Sequence, residues 1–179
     1  MRRQAVTATP RAIKDLHERK ARALARRPAF ARATGQAHVV LEAGFACAVE
    51  DEDRRLTADL PVREGGDAAG PSPDQLMRAS LGAALAIGYR LWAARLEVPL
   101  TAAAVDVSCD YDSRGQMGVD GVAVGWQRLC VDVTITSAAP EADVRRVVET
   151  ADRLSPMLAN LAATVVRTHR LTVVKTVRP

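Results

Sequence analysis

From Ala102 to Tyr111 the chain alternates, with Ala103, Val105, Val107, Cys109 and Tyr111 in one phase and Ala102, Ala104, Asp106, Ser108 and Asp110 in the other. A period of two is that of a strand with one face in a core, which turns Cys109 inward. After a turn at Asp112-Ser113-Arg114-Gly115, a second run carries Val122, Val124 and Trp126 on even positions, then Leu129, Val131, Val133 and Ile135 on odd ones. A pleat cannot change phase without an extra residue, so a bulge is expected near Gln127-Arg128. Nearer the N-terminus, His38 to Leu41 and Phe45 to Val49 read as strands, Glu50-Asp51-Glu52-Asp53 as a turn in solvent, and Leu56 to Val62 as the antiparallel return. Four adjacent acids repel one another and are costly to bury. They also lack the spaced oxygen ligands and central glycine of a calcium loop.

Helical periods fill the gaps. Ser72 can cap a first turn, Pro73 presets its torsion and Asp74 suits the positive end of the dipole. Leu76, Ser80, Ala83, Ile87 and Leu91 then recur at three- and four-residue steps, while Met77, Leu81, Ala84, Leu85 and Trp92 widen the apolar surface. This predicts a long central helix covered on most sides. Gly82 and Gly88 cost about 1 kcal/mol each against alanine there, which the close approach of another helix would offset. A further helix is expected from Ala139-Pro140-Glu141 to Asp152, and another from Ser155-Pro156 through Thr168 with Leu158, Leu161, Ala162 and Val165 as its stripe. Leu171, Val173 and Val174 suggest a closing strand. At the start, Thr9-Pro10 opens a helix with a thin stripe of Ile13, Leu16 and Leu24, limited by Pro28. The element order is that of an α+β fold, an antiparallel sheet with helices on one side.

Charge divides this chain of 179 residues more sharply than its formal net +4 suggests. Residues 1–34 hold ten basic and two acidic side chains; the remainder holds 15 basic against 19 acidic. We therefore expect a basic helical extension over 1–34 and an acidic α+β domain over 35–179. The leader has no base-reading element or aromatic platform, so no nucleic acid is expected. No run of 18 apolar residues occurs, which argues against transmembrane insertion, and the Met1-Arg2-Arg3 start lacks the apolar core of a secretory signal. A cytoplasmic setting follows. Cys47, Cys109 and Cys130 are widely spaced with no CxxC pair, and His17, His38 and His169 are scattered, so neither a disulfide framework nor a metal is expected. No nucleotide fingerprint precedes a helix, so no cofactor is expected, and no G-x-S-x-G elbow activates a serine.

The run Gly70-Pro71-Ser72-Pro73-Asp74-Gln75-Leu76, then Leu81-Gly82-Ala83-Ala84, with Ser155-Pro156 opening a later helix, resembles the OsmC/Ohr superfamily of osmotically inducible and organic hydroperoxide resistance proteins. The family's run has the form G-P-x-P-E-x-L followed by a helical A-C, with a later C-P. The similarity extends from about Gly35 to Pro179. It implies antiparallel sheets with a long central helix, an intertwined homodimer, a peroxidatic cysteine on the central helix and a resolving cysteine before the later proline. Those two positions are Ala84 and Ser155 here, and the motif glutamate is Asp74. The family's arginine falls near Gln36 or Ala37, neither a guanidinium; Arg63 is an alternative nearby in sequence.

Peroxide reduction by that route needs a thiolate to attack oxygen and a second thiol to resolve the sulfenic acid. Alanine has no such atom, and serine lacks the redox states of sulfur. The resemblance thus leads to a degenerate site with no confident catalytic residue, able to bind a small apolar ligand at the dimer interface, with Arg78, Tyr89 and Trp92 as possible borders. The alternative is a thiol-dependent peroxidase that uses a relocated cysteine. A different enzyme built on Asp74 and Ser155 lacks any histidine placed to activate the hydroxyl.

Overall fold

The computed structural model describes residues 8–161 and 166–176. The chain divides into two compact units, one of residues 23–80 and one that joins the residues up to 22 to those from 81 onward. In chain order the elements are α1 (Pro10–Arg26), β1 (His38–Leu41), β2 (Cys47–Asp51), β3 (Arg54–Ala58), α2 (Pro73–Arg95), β4 (Ala102–Tyr111), α3 (Ser113–Gln116), β5 (Trp126–Ser137), α4 (Glu141–Arg153), α5 (Pro156–Asn160) and β6 (Val166–Lys175). This is an α+β fold with one antiparallel and one mixed sheet.

In the smaller unit, β1, β2 and β3 form an antiparallel meander in that order. The acidic run makes its turn, with Glu52 at φ 51°, and Arg55 and Arg54 answer Glu50 and Asp53 at 3.0 and 3.4 Å. Register places Val39, Val49 and Leu56 in one row and Leu41, Cys47 and Ala58 in the next, so one face of the sheet is apolar. Of these, Val39, Leu41 and Leu56 are exposed. The return strand ends at Ala58 rather than running to Val62. Pro61 has no N–H to give a ladder, and Val62–Glu64 forms a single 3-10 turn.

The larger unit is built around α2 and the sheet β4-β5-β6. Leu81, Leu85, Tyr89 and Ala93 recur every four residues and are buried with Leu129, Val131, Val133 and Ile135 of β5 and Val144, Val147, Val148 and Ala151 of α4. Each fully buried leucine or valine contributes about 2 kcal/mol by removal from water. The expected bulge is present: Asp110 faces Arg128 and Tyr111 faces Trp126, so Gln127 is the extra residue that carries the strand from one phase to the other.

Three expectations need correction. The sheet is not wholly antiparallel, because β6 pairs parallel to β5. Helices α4 and α5 supply the crossover that a parallel pair requires. The helix expected to reach Thr168 ends at Asn160, and residues from Val166, a stretch rich in β-branched side chains, are strand; Ala162 and Val165 of the expected stripe lie outside the described residues. Gly82 is approached by a strand, not a helix: a Cβ there would meet Val107 Cγ2 at 3.4 Å, whereas Gly88 does face helix α4 through Ala151 Cβ at 3.8 Å. As expected, α2 is covered on most sides over residues 81–95, where only Ala83 and Ile87 are exposed, Ile87 to 70%.

Tyr89 has no exposed surface, and its hydroxyl donates to Asp152 Oδ1 at 2.9 Å, tying α2 to α4. Burial, then the Asp152 charge, pushes its pKa well above the ordinary phenol value. Tyr89→Phe should lower stability by about 1–2 kcal/mol in urea unfolding, with the slope unchanged.

Candidate functional site

The segment that leads into α2 is organised by one carboxylate. Asp59 is 2% exposed and accepts hydrogen bonds from Leu60 N (2.7 Å), Asp67 N (3.0 Å) and Ala69 N (3.0 Å). The Ala69 N–H above all, then those of Asp67 and Leu60, holds its pKa below the usual carboxylate value against the opposing effect of burial. Two glycines let the backbone pack this tightly. A Cβ at Gly66 would lie 2.1 Å from Leu60 O, and one at Gly70 would lie 2.0 Å from Thr57 O. The loop then delivers Ser72, whose Oγ accepts from Gln75 N at 3.3 Å while Gln75 Oε1 accepts from Ser72 N at 2.8 Å, a reciprocal cap that starts α2.

One turn on, Asp74 and Arg78 form an ion pair along the same helix face. These two sequence-derived residues are brought together. Ala84 is partly buried on α2, one turn before Gly88. Tyr89 lies wholly in the core, and Trp92 packs against that core with the Arg95 guanidinium 4.3 Å from its ring centre. Ser155 caps α5, its Oγ accepting from Leu158 N at 3.3 Å. Gln36 and Ala37 are exposed, and Arg63 pairs with Glu64 at 3.2 Å on the surface. A cleft of about 610 Å³ lies at the C-terminal end of α2 against α1, lined by Lys14, Ala93, Glu97 and Val98 among others. Arg78, Tyr89 and Trp92 do not line it.

None of the three cysteines forms a disulfide. Cys47 is on β2, its Sγ 3.9 Å from Phe45 O. Cys109 and Cys130 lie on adjacent strands but on opposite faces of the sheet. Cys109 is paired in register with buried Leu129 and shares the inner face with Val105 and Val107, while Cys130 is opposite Ser108 on the outer face, its Sγ 3.6 Å from Asp132 and 3.7 Å from Arg170. The alternation had placed Cys109 inward, and it is inward.

With this arrangement in view, comparison with known proteins is decisive for the family. The model of the family described as OsmC-like protein matches residues 65–169, more than half of the chain. The chain belongs to the OsmC-like family. Among solved structures, the OsmC-like protein of Mycoplasma pneumoniae superposes with a TM-score of 0.69 at 15% identity, covering 79% of this chain and 98% of the other. An organic hydroperoxide resistance protein OsmC from Legionella pneumophila gives 0.59 at 18% identity over 79% and 97%, and an OsmC-like protein of unknown function from Vibrio cholerae gives 0.63 at 9% over 77% and 99%. At such identities the likeness is one of fold. No curated protein matches the chain. Among the described residues, no helix is long and apolar enough to cross a membrane.

Sequence reasoning on this OsmC-like chain missed Asp59. The available signal was an aspartate set between Ala58 and Leu60 at the end of a strand, with Gly65-Gly66 and Gly70 to follow. Because its pKa is lower folded than unfolded, Asp59 contributes stability above the unfolded carboxyl value of about 4, and that contribution is lost as pH falls through the folded value. Asp59→Asn should therefore lower the melting temperature at neutral pH. The gap between the wild type and D59N should close in the acid limb below about pH 4.

Proposed function

We propose that this OsmC-like protein is a cytoplasmic homodimer that has lost thiol peroxidase chemistry and binds a small apolar molecule beside α2. The observation that carries the reading is Ala84. The family motif aligns a peroxidatic cysteine with this position, and a methyl group offers a peroxide neither a nucleophile nor a redox-active atom. Ser155, aligned with the resolving cysteine, spends its hydroxyl on the first turn of α5. Asp74, aligned with the motif glutamate, answers Arg78. Removing sulfur while keeping an apolar helix face leaves a surface suited to binding rather than turnover.

The homodimer is supported in each unit separately. The β1-β2-β3 meander presents exposed Val39, Leu41 and Leu56 on one face, and α2 presents Ala83 and strongly exposed Ile87 away from its own core. Apolar faces of this kind mark association surfaces. The cytoplasm suits three thiols that form no disulfide.

One observation favours a second reading. Cys109 shares the inner face of β4 with Val107, the residue that meets α2 at Gly82. Of the two thiols in the β4-β5-β6 sheet, a relocated peroxidatic thiol would be Cys109, since Cys130 faces the other way.

Purified protein supplied with a dithiol reductant should consume cumene hydroperoxide no faster than reductant alone. Turnover that disappears in Cys109→Ser would reject the first reading and establish the second. Ile87→Glu should shift sedimenting species from dimer to monomer, with a dissociation constant raised at least about tenfold. Native mass spectrometry of the gently extracted dimer should show an apolar adduct that is lost from I87E.

A further inference from the structure

Residues 10–22 of helix α1 are held to the rest of their unit by very little. The helix is capped by Thr9, whose Oγ1 accepts from Ala12 N at 3.2 Å, yet none of its 17 residues is buried. Lys14 reaches Glu97 at 2.9 Å, and Ile13, His17, Glu18 and Leu24 are partly covered. The opposite side is another matter. Ala12, Leu16 and Ala23, at steps of four and seven, form a ridge that is exposed throughout, with Leu16 53% exposed. Arg19, Lys20 and Arg26 flank this ridge, all exposed, and form no ion pair among the described residues. Of the two acids of the helix, Asp15 is exposed one turn before Arg19, leaving the cations in excess on this side, and Glu18 is answered by Arg22 at 3.6 Å.

We propose that α1 docks the protein reversibly on an anionic lipid surface, lying in the headgroup plane with Leu16 inserted and Arg19, Lys20 and Arg26 on lipid phosphates. Charge complementarity selects a polyanion, and the placement of the apolar residues selects a bilayer over a nucleic acid. A phosphodiester backbone would satisfy the cations but leave Leu16 in water, at the centre of the contact. A headgroup layer covers both. Phe30, just beyond the helix and 75% exposed beneath the Arg27 guanidinium at 6.0 Å, has the same pairing of an apolar body with a cation. With no helix of membrane-spanning length and apolarity among the described residues, such binding is peripheral and depends on salt. It involves none of the residues of the proposed ligand site, so either reading can fail without the other.

The test is flotation of the full-length protein with vesicles of phosphatidylcholine alone or mixed with phosphatidylglycerol. Binding is expected only to the mixed vesicles and should weaken as salt rises. The double variant Arg19→Glu, Lys20→Glu should bind at least about tenfold more weakly. Leu16→Asn should lose about tenfold while circular dichroism shows the helix intact. If the charge reversals disturb the helix, the pair of glutamine substitutions carries the same expectation. Equal binding to both vesicle types, wild-type affinity in L16N, tighter retention by duplex DNA or RNA at the same salt, or no flotation at all would each overturn the proposal.

Discussion

Burial of Leu81, Leu85, Tyr89 and Ala93 against β5 and α4 fixes the rotation of α2 about its own axis. The row is apolar at every fourth position, and Tyr89 gives it direction, because its hydroxyl must meet Asp152. A slip of one residue would bring the Arg90 guanidinium into the core. In place, Arg90 instead donates to the carbonyls of Leu100 and Thr101 at 2.5 and 3.1 Å and secures the connection to β4. The orientation of every other α2 residue follows from this row. Ile87 is exposed because Leu81 and Leu85 face the core.

The chemistry open to the chain is set by where its sulfur atoms fall relative to that rotation. The β4 pleat alternates, so Cys109 goes in with Val105 and Val107 opposite Leu129, and Cys130, the next residue along β5 and opposite Ser108, goes out. The two thiols are separated by the sheet itself and cannot act as a reactive and resolving pair without repacking it. At Ala84 and Ser155 the side chains are a methyl group and a hydroxyl engaged in a cap. Neither has an oxidation ladder to climb.

Legibility in the sequence tracked the range of the interaction responsible. The α2 start, the β4 alternation and the Gln127 bulge are set by neighbours within a few residues, and all were readable from spacing. The pairing of β6 was not. Whether β6 pairs parallel or antiparallel depends on the crossover through α4 and α5, and local periodicity is identical in both cases. Asp59 was hidden for a related reason: two of its three donors, Asp67 and Ala69, lie eight and ten residues downstream. Gly82 could be read as a close approach, but not what approaches. Of the candidate site, residue identities at 74, 84 and 155 were plain from the motif. The ion pair of Asp74 with Arg78 and the complete burial of Tyr89 are not legible there, because each is decided by side-chain direction.

The parallel pairing of β6 has a cost during synthesis. Until the C-terminal residues emerge, β5 is an open edge, a long strand whose alternate residues Leu129, Val131, Val133 and Ile135 are among the most apolar in the chain. Its N–H and C=O groups on that side then have no ladder and invite pairing with another nascent chain. A protein truncated before Val166 would keep that apolar strand as its edge, whereas β6, the outer strand of the complete sheet, carries the exposed charges of Arg170 and Lys175, which discourage edge-to-edge pairing.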